Sequence, residues 1–245
     1  MEYRISPLLY PCSALEPHFD AETMLIHHEH YYGSYVRDLN KVLNLHPELG
    51  GNSVPELLVH LPGVPESIRE AVRNYAGGCF NHEIFFSLLR PRQGRGPRGP
   101  LVEAIRANFR DLDSFRQKFE EAALNLFGSG WVWLVCSGLP EDGLHRRVPI
   151  SGGSRLRILT THNHDNPLSL GLFPILGLDL WEHAYHHRYR NDRRAYLNAW
   201  WQVIDWDAVE QRCWLDDRAT VRKDSHLLPH MSNGLHTLPV FRTIA

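Results

Sequence analysis

Cysteine is scarce in this chain: Cys12, Cys79, Cys136 and Cys213 are the only four in 245 residues. They show no C-x-x-C spacing and no framework density, so no disulfide scaffold is expected and a reducing cytoplasm fits. An excess of one charge is also missing. With 26 Lys+Arg against 28 Asp+Glu there is no electrostatic footprint for nucleic acid. No apolar run approaches the ~20 residues of a membrane span. The opening M-E-Y-R-I-S-P-L-L-Y lacks a basic stretch followed by an apolar one, so no secretory leader is expected. Histidine and tryptophan are abundant instead, at sixteen and seven. Histidine in excess suggests metal or proton chemistry, although many of the sixteen would be ordinary surface residues. The length suffices for one large domain or two modest ones, each with a core.

Read in order, residues 1–19 are Pro-rich and irregular. Asp20 is a good N-cap for a helix expected to run to about Leu45, where Pro47 and two glycines stop it. His27, Tyr31 and Tyr35 recur at four-residue intervals and predict one stripe on one face. A second helix is expected from about Pro65 to Leu89. Gly77 and Gly78 in its middle should cost about 1 kcal/mol each, which implies close approach of another group. His82 follows one turn later, beside Phe85 and Phe86. The Gly-, Pro- and Arg-rich stretch 92–99 reads as a linker between an N-terminal helical hairpin domain (1–91) and a C-terminal domain (100–215).

In the second domain, Leu101–Phe109 and Ser114–Phe127 read as helices, the latter capped by Asp113 or Ser114. Trp131–Cys136, Arg155–Thr161 and Pro174–Leu180 predict three antiparallel strands. Further helices are expected over Trp181–Tyr189, Arg193–Trp201 and from Asp205 to about Leu215. The fold class is therefore α+β: a long antiparallel helical hairpin followed by a helical domain with a small three-stranded sheet. Residues 216–245 carry His226, His230 and His236 and read as a mobile or surface-laid tail.

The stretch G-L-D-L-W-E-H-A-Y (177–185) places Asp179 and His183 four residues apart at the end of a strand, aimed at one point. Trp181 can wall that point from water. With His27 and His82 the candidates become three imidazoles and one carboxylate. Such a set suits a first-row transition metal, not Mg²⁺ or Ca²⁺, which prefer oxygen shells. Four ligands would saturate zinc, but they leave iron or manganese room for solvent and substrate.

Several motifs resemble the iron/manganese superoxide dismutases: L-E-P-H-F-D, I-H-H-x-x-Y-x-x-x-Y, N-x-A-G-G-x-x-N-H, F-G-S-G-W-V-W-L, D-L-W-E-H-A-Y and Y-L-N-A-W-W-x-V-I-D-W. They stand in the family's order over about residues 3–215. The resemblance implies that His27, His82, Asp179 and His183 bind one Fe or Mn ion, with solvent as a fifth ligand. It implies that Tyr35 gates the substrate funnel for superoxide and relays protons, and that Arg193 lies near the funnel mouth. Glu182 would bond a ligand histidine of the neighbouring subunit in a homodimer, with a tetramer as the other option.

Three departures from the family pattern stand out. His164 occupies the place of the glutamine that bonds the bound solvent in manganese members, and Gly78 that of the iron members' glutamine. His164 is expected to fill the space above Gly78, and its presence leans the metal toward iron. Tyr31 and His186 carry exchanged identities at positions that face each other across the family's dimer, which suggests a swapped bond between subunits. Phe86 replaces a tryptophan, and Cys79 beside the site reads as a buried, inert thiol. Two alternatives remain: a catalytically decayed metal-binding protein on the same fold, and a non-haem iron oxygenase or peroxidase, whose usual two-His, one-carboxylate set has one ligand fewer.

Overall fold

Asp20 caps the first helix as its position suggests, accepting hydrogen bonds from the Thr23 amide at 2.8 Å and the Thr23 hydroxyl at 2.7 Å. In the computed structural model, which describes residues 2–91, 96–137 and 155–213, that helix does not run unbroken to Leu45. α1 covers Ala21–Leu25, a π-helical segment covers Ile26–Tyr32, and α2 covers Gly33–Asn44. The wider π turn, closed by i→i+5 bonds, lets the neighbours His27 and His28 both face inward, at 0% and 2% exposure.

A Ser53–Glu56 capping box starts the short α3 (Val54–Val59). α4 (Glu66–Ser87) then packs against α2 to complete the helical hairpin. Its expected close approach at the glycines is real. A Cβ on Gly77 would overlap the His164 carbonyl, and one on Gly78 would lie 2.5 Å from Tyr35 Cγ. Tyr35, and not the His164 ring, therefore fills the space above Gly78.

α5 (Gly99–Phe109) and α6 (Leu112–Asn125) follow. The cap of α6 is Asp111, which accepts from Ser114 N at 2.6 Å, not Asp113 or Ser114 itself. The chain then forms β1 (Gly130–Ser137), β2 (Leu156–His162) and β3 (Leu172–Asp179), an antiparallel sheet in the order β2-β1-β3. The register sets Trp131 opposite Thr161 on one side and Asp179 on the other. A bulge between Leu134 and Val135 accommodates Pro174, which cannot donate to the ladder.

Trp181–Tyr189 is not one helix. Asp179 Oδ1 accepts from Trp181 N at 2.8 Å, which starts a turn. A 3₁₀ turn at Glu182–Ala184 follows, Tyr185 breaks it with φ −143°, and α7 spans only His186–Tyr189. α8 (Arg193–Trp201) and α9 (Trp206–Cys213) close the described chain. The described residues all belong to one compact unit. Trp131, Trp133, Trp200, Phe85, Phe115 and Phe119 lie at its core. The expected tail at 216–245 and residues 92–95 of the expected linker lie outside the described residues.

Candidate metal centre

His27 from the π segment, His82 from α4, Asp179 at the end of β3 and His183 from the 3₁₀ turn converge, with one ligand atom from each lying within 4.8 Å of the others. Asp179 Oδ2 is the focus: it lies 3.1 Å from His27 Nε2, 3.2 Å from His183 Nε2 and 3.5 Å from His82 Nε2. Its other oxygen is taken by the Trp181 amide, and the Asp179 carbonyl accepts from Tyr196 Oη at 2.9 Å. On His82, Nδ1 donates to the Gly78 carbonyl at 2.7 Å, so its Nε2 keeps the lone pair. That buried Nε2 has no hydrogen-bond partner among the described residues.

Burial holds His27 down at about 4, with the Asp179 bond acting against it. Burial and the neighbouring His27 hold His82 well below the ordinary histidine range. Burial alone would raise Asp179, but His183 beside it and bonds from His183 and His27 keep it well below the usual carboxylate value. His27 and His82, both held toward the neutral form beside an ionised Asp179, have the protonation states a metal requires. An orphaned, buried lone pair pointing into the cluster fits an ion there as well.

Aromatic side chains close the surroundings. Phe85 and Phe86 lie 5.4 and 4.9 Å from the His27 ring, and Trp131 stands edge-on to His82 at 5.2 Å. Trp181 lies over both His164 (4.6 Å) and His183 (5.7 Å). Trp133 backs Trp131 at 5.3 Å, and its indole donates to the Thr161 hydroxyl at 2.9 Å. Tyr35 meets His164 edge-on at 4.4 Å and lies 5.4 Å from His82. Burial pushes its phenol up, and the Asp179 charge adds to that. His164 is 3% exposed. Cys79 is buried, and burial pushes its thiol up, in keeping with an inert residue.

The remaining expected residues lie further out. Tyr31 stacks on His183 at 4.2 Å and is 40% exposed. Together with Glu182, His183, His186 and Arg190 it lines a hollow of about 370 Å³ at the surface. Arg193 is not brought to the cluster. Its guanidinium donates to the carbonyls of Leu126 (2.7 Å) and Gly128 (3.3 Å) and to Tyr185 Oη (3.3 Å).

Sequence reasoning gave no role to the residues that hold His164. Asn81, fully buried, donates to the His164 carbonyl at 3.3 Å and accepts from the Asn166 amide. Arg73 of α4 pairs through Nε and Nη2 with the two carboxylate oxygens of Asp165. The one signal for Asn81 was an amide directly before His82 in an apolar helix.

Comparison with known proteins agrees with this geometry. The family model described as iron/manganese superoxide dismutases, alpha-hairpin domain, matches residues 2–90, and that for the C-terminal domain matches residues 97–212. The superoxide dismutase [Mn] of Listeria monocytogenes is 45% identical over 212 residues, covering 86% of this chain and 98% of that protein. The superoxide dismutase [Mn] of Thermus thermophilus is 43% identical over 209 residues, covering 85% and 96%. Three imidazoles and a carboxylate in one buried cluster, on a helical hairpin and a three-stranded sheet, place this chain in the iron/manganese superoxide dismutase family.

Proposed function

We propose that the chain is a superoxide dismutase. The observation that carries this reading is the buried His27, His82, His183 and Asp179 cluster, one ligand short of a five-coordinate shell and walled by aromatic rings. A bound iron or manganese ion supplies the electron exchange: one superoxide is oxidised to dioxygen, and a second is reduced and leaves as hydrogen peroxide with two protons. The protein's part is to hold the ligands in their metal-ready protonation states, exclude water and present protons. Phe85, Phe86, Trp131 and Trp181 do the excluding. Tyr35 stays a phenol, so it is a proton donor at the edge of the cluster.

For the metal, the relatives' names favour manganese, so the lean toward iron drawn from His164 finds no support there. The deciding experiment is superoxide dismutation by apo-protein reconstituted separately with iron and with manganese. Activity with either establishes the enzyme and identifies its ion. Stoichiometric binding of both without activity would make the chain a decayed member of the family.

The hollow holding Tyr31, Glu182 and His186 beside His183 suits a homodimer contact that reaches the ligand shell. In that reading Glu182 meets the other subunit's cluster, and Tyr31 pairs with His186 across the interface. A double-mutant cycle on Tyr31 and His186 is expected to show coupling in dimer stability, and additive losses would refute the pairing. The cysteine pattern supports a cytoplasmic location.

A further inference from the structure

Phe86, which packs on the His27 ring at 4.9 Å, also lines a second hollow of about 230 Å³. None of the four ligands lines it. Pro7, Leu8 and Leu9 of the N-terminal strap form one wall, and Tyr32, Glu83 and Phe86 stand opposite. The strap is pinned at both ends. Ser6 N donates to Tyr32 Oη at 3.2 Å, and His28 Nε2 donates to the Ser6 carbonyl at 2.8 Å. Beyond the leucines, Tyr10 Oη donates to the Phe86 carbonyl at 3.1 Å. The wall therefore has a fixed position, although the Leu9 side chain at its end is 88% exposed.

Among the described residues, Glu83 is the only charged group on this lining, and it forms no salt bridge. One of its oxygens, Oε1, accepts from Ser6 Oγ at 2.9 Å. That leaves a carboxylate with no cation of its own beside a largely apolar space. An anion is repelled there, and a neutral apolar molecule would strip water from the carboxylate without replacing it. A divalent metal needs several oxygen or nitrogen ligands, and one carboxylate does not supply them. A cation with an apolar body satisfies both halves of the site, and the aromatic rings of Tyr32 and Phe86 favour such a charge further. The ligand is small, because drug-sized molecules need about 300 Å³ or more.

We propose that this hollow binds a small primary alkylammonium ion, its charge on Glu83 and its carbons against Pro7, Leu8, Leu9 and Phe86. A primary ammonium has N–H groups to share. Ser6 Oγ spends its proton on Glu83 and keeps lone pairs to accept one of them, which a quaternary ammonium could not use. The occupant rests on a ring that itself touches a metal ligand, but the site does not depend on the dismutase reading.

The test is calorimetric titration of the manganese-loaded full chain with n-butylammonium chloride, beside n-butanol and sodium chloride. Saturable binding of one n-butylammonium per chain is expected. n-Butanol keeps the carbons and drops the charge, so it should bind roughly fivefold more weakly, the worth of one partly exposed charge pair. No saturable binding, an alcohol bound as tightly as the amine, or a saturable response to sodium overturns the proposal. That comparison is made on the parent chain and holds whether or not any variant folds. Glu83→Gln should bring the amine down to the level of the alcohol, with metal content, melting temperature and superoxide dismutation as in the parent. An unchanged affinity for the amine in this variant would remove Glu83 from the site and overturn the assignment.

Discussion

Gly78 has no room for a methyl group, because the atom it would add lies 2.5 Å from the rigid Tyr35 ring. Gly78→Ala is expected to destabilise by about 1–3 kcal/mol through overpacking. It should also lower activity more than Ala substitution on the exposed face of α4, since Tyr35 is what moves. Thermal melts and superoxide assays on both variants check this. Protonation gives a second expectation at this scale. His27 and His164 are held at about 4 when folded, against an ordinary value of 6.5. Below pH 6.5 the unfolded chain therefore binds protons that the folded chain refuses, so the apo-protein should lose stability from about pH 6.5 down to about pH 4. The loss is on the order of 3 kcal/mol per histidine, and His82, held lower still, carries the fall on below that window. Asp179, depressed below its ordinary 3.8, begins to contribute only at lower pH. Urea melts of the apo-protein across this range would show the slope, and a flat profile would contradict it.

Among the elements, those with a period or a cap in the sequence were legible, and those shaped by the site were not. The three strands and α8 stand close to where β-propensity and helical pattern put them. The long first helix was misread because no α-helical period announces a π turn. Within it both His27 and His28 face inward. Trp181–Tyr189 differs from the expected helix because the chain leaves helical geometry at Tyr185, between the 3₁₀ turn and α7, and no sequence period marks that break. The ligands are legible because three motifs carry them, whereas the supports of His164 are single polar residues from distant positions. Asn81→Leu tests those supports. It strands the His164 carbonyl and the Asn166 amide, and should destabilise by about 1–3 kcal/mol while metal content is kept. A calorimetric melt with metal analysis measures both, and loss of the metal would mean that Asn81 supports His82 instead.

Across the described residues, the ligands come from both parts of the sequence: His27 and His82 from the hairpin, Asp179 and His183 from beyond the sheet. Reciprocal bonds stitch the end of α4 to the α8–α9 turn, Arg90 N to the Val203 carbonyl and Asp205 N to the Leu88 carbonyl, both at 2.8 Å. Arg90 pairs with Asp205 and Asp207 beside them. An ion that binds only this docked arrangement should stabilise the fold by about 4 kcal/mol at a thousandfold excess over its Kd. A melting temperature that does not respond to manganese would contradict a site shared in this way.

His27, His82 and Asp179 have no exposed surface at all, and the His183 side chain has 6%. The only exposed part of the ligand set is this edge of His183, so exchange of an ion is expected to be timed by opening of the structure more than by diffusion. Chelator-driven release should carry the steep temperature dependence of unfolding. The metal found in a purified sample would then record which ion was at hand while the chain folded.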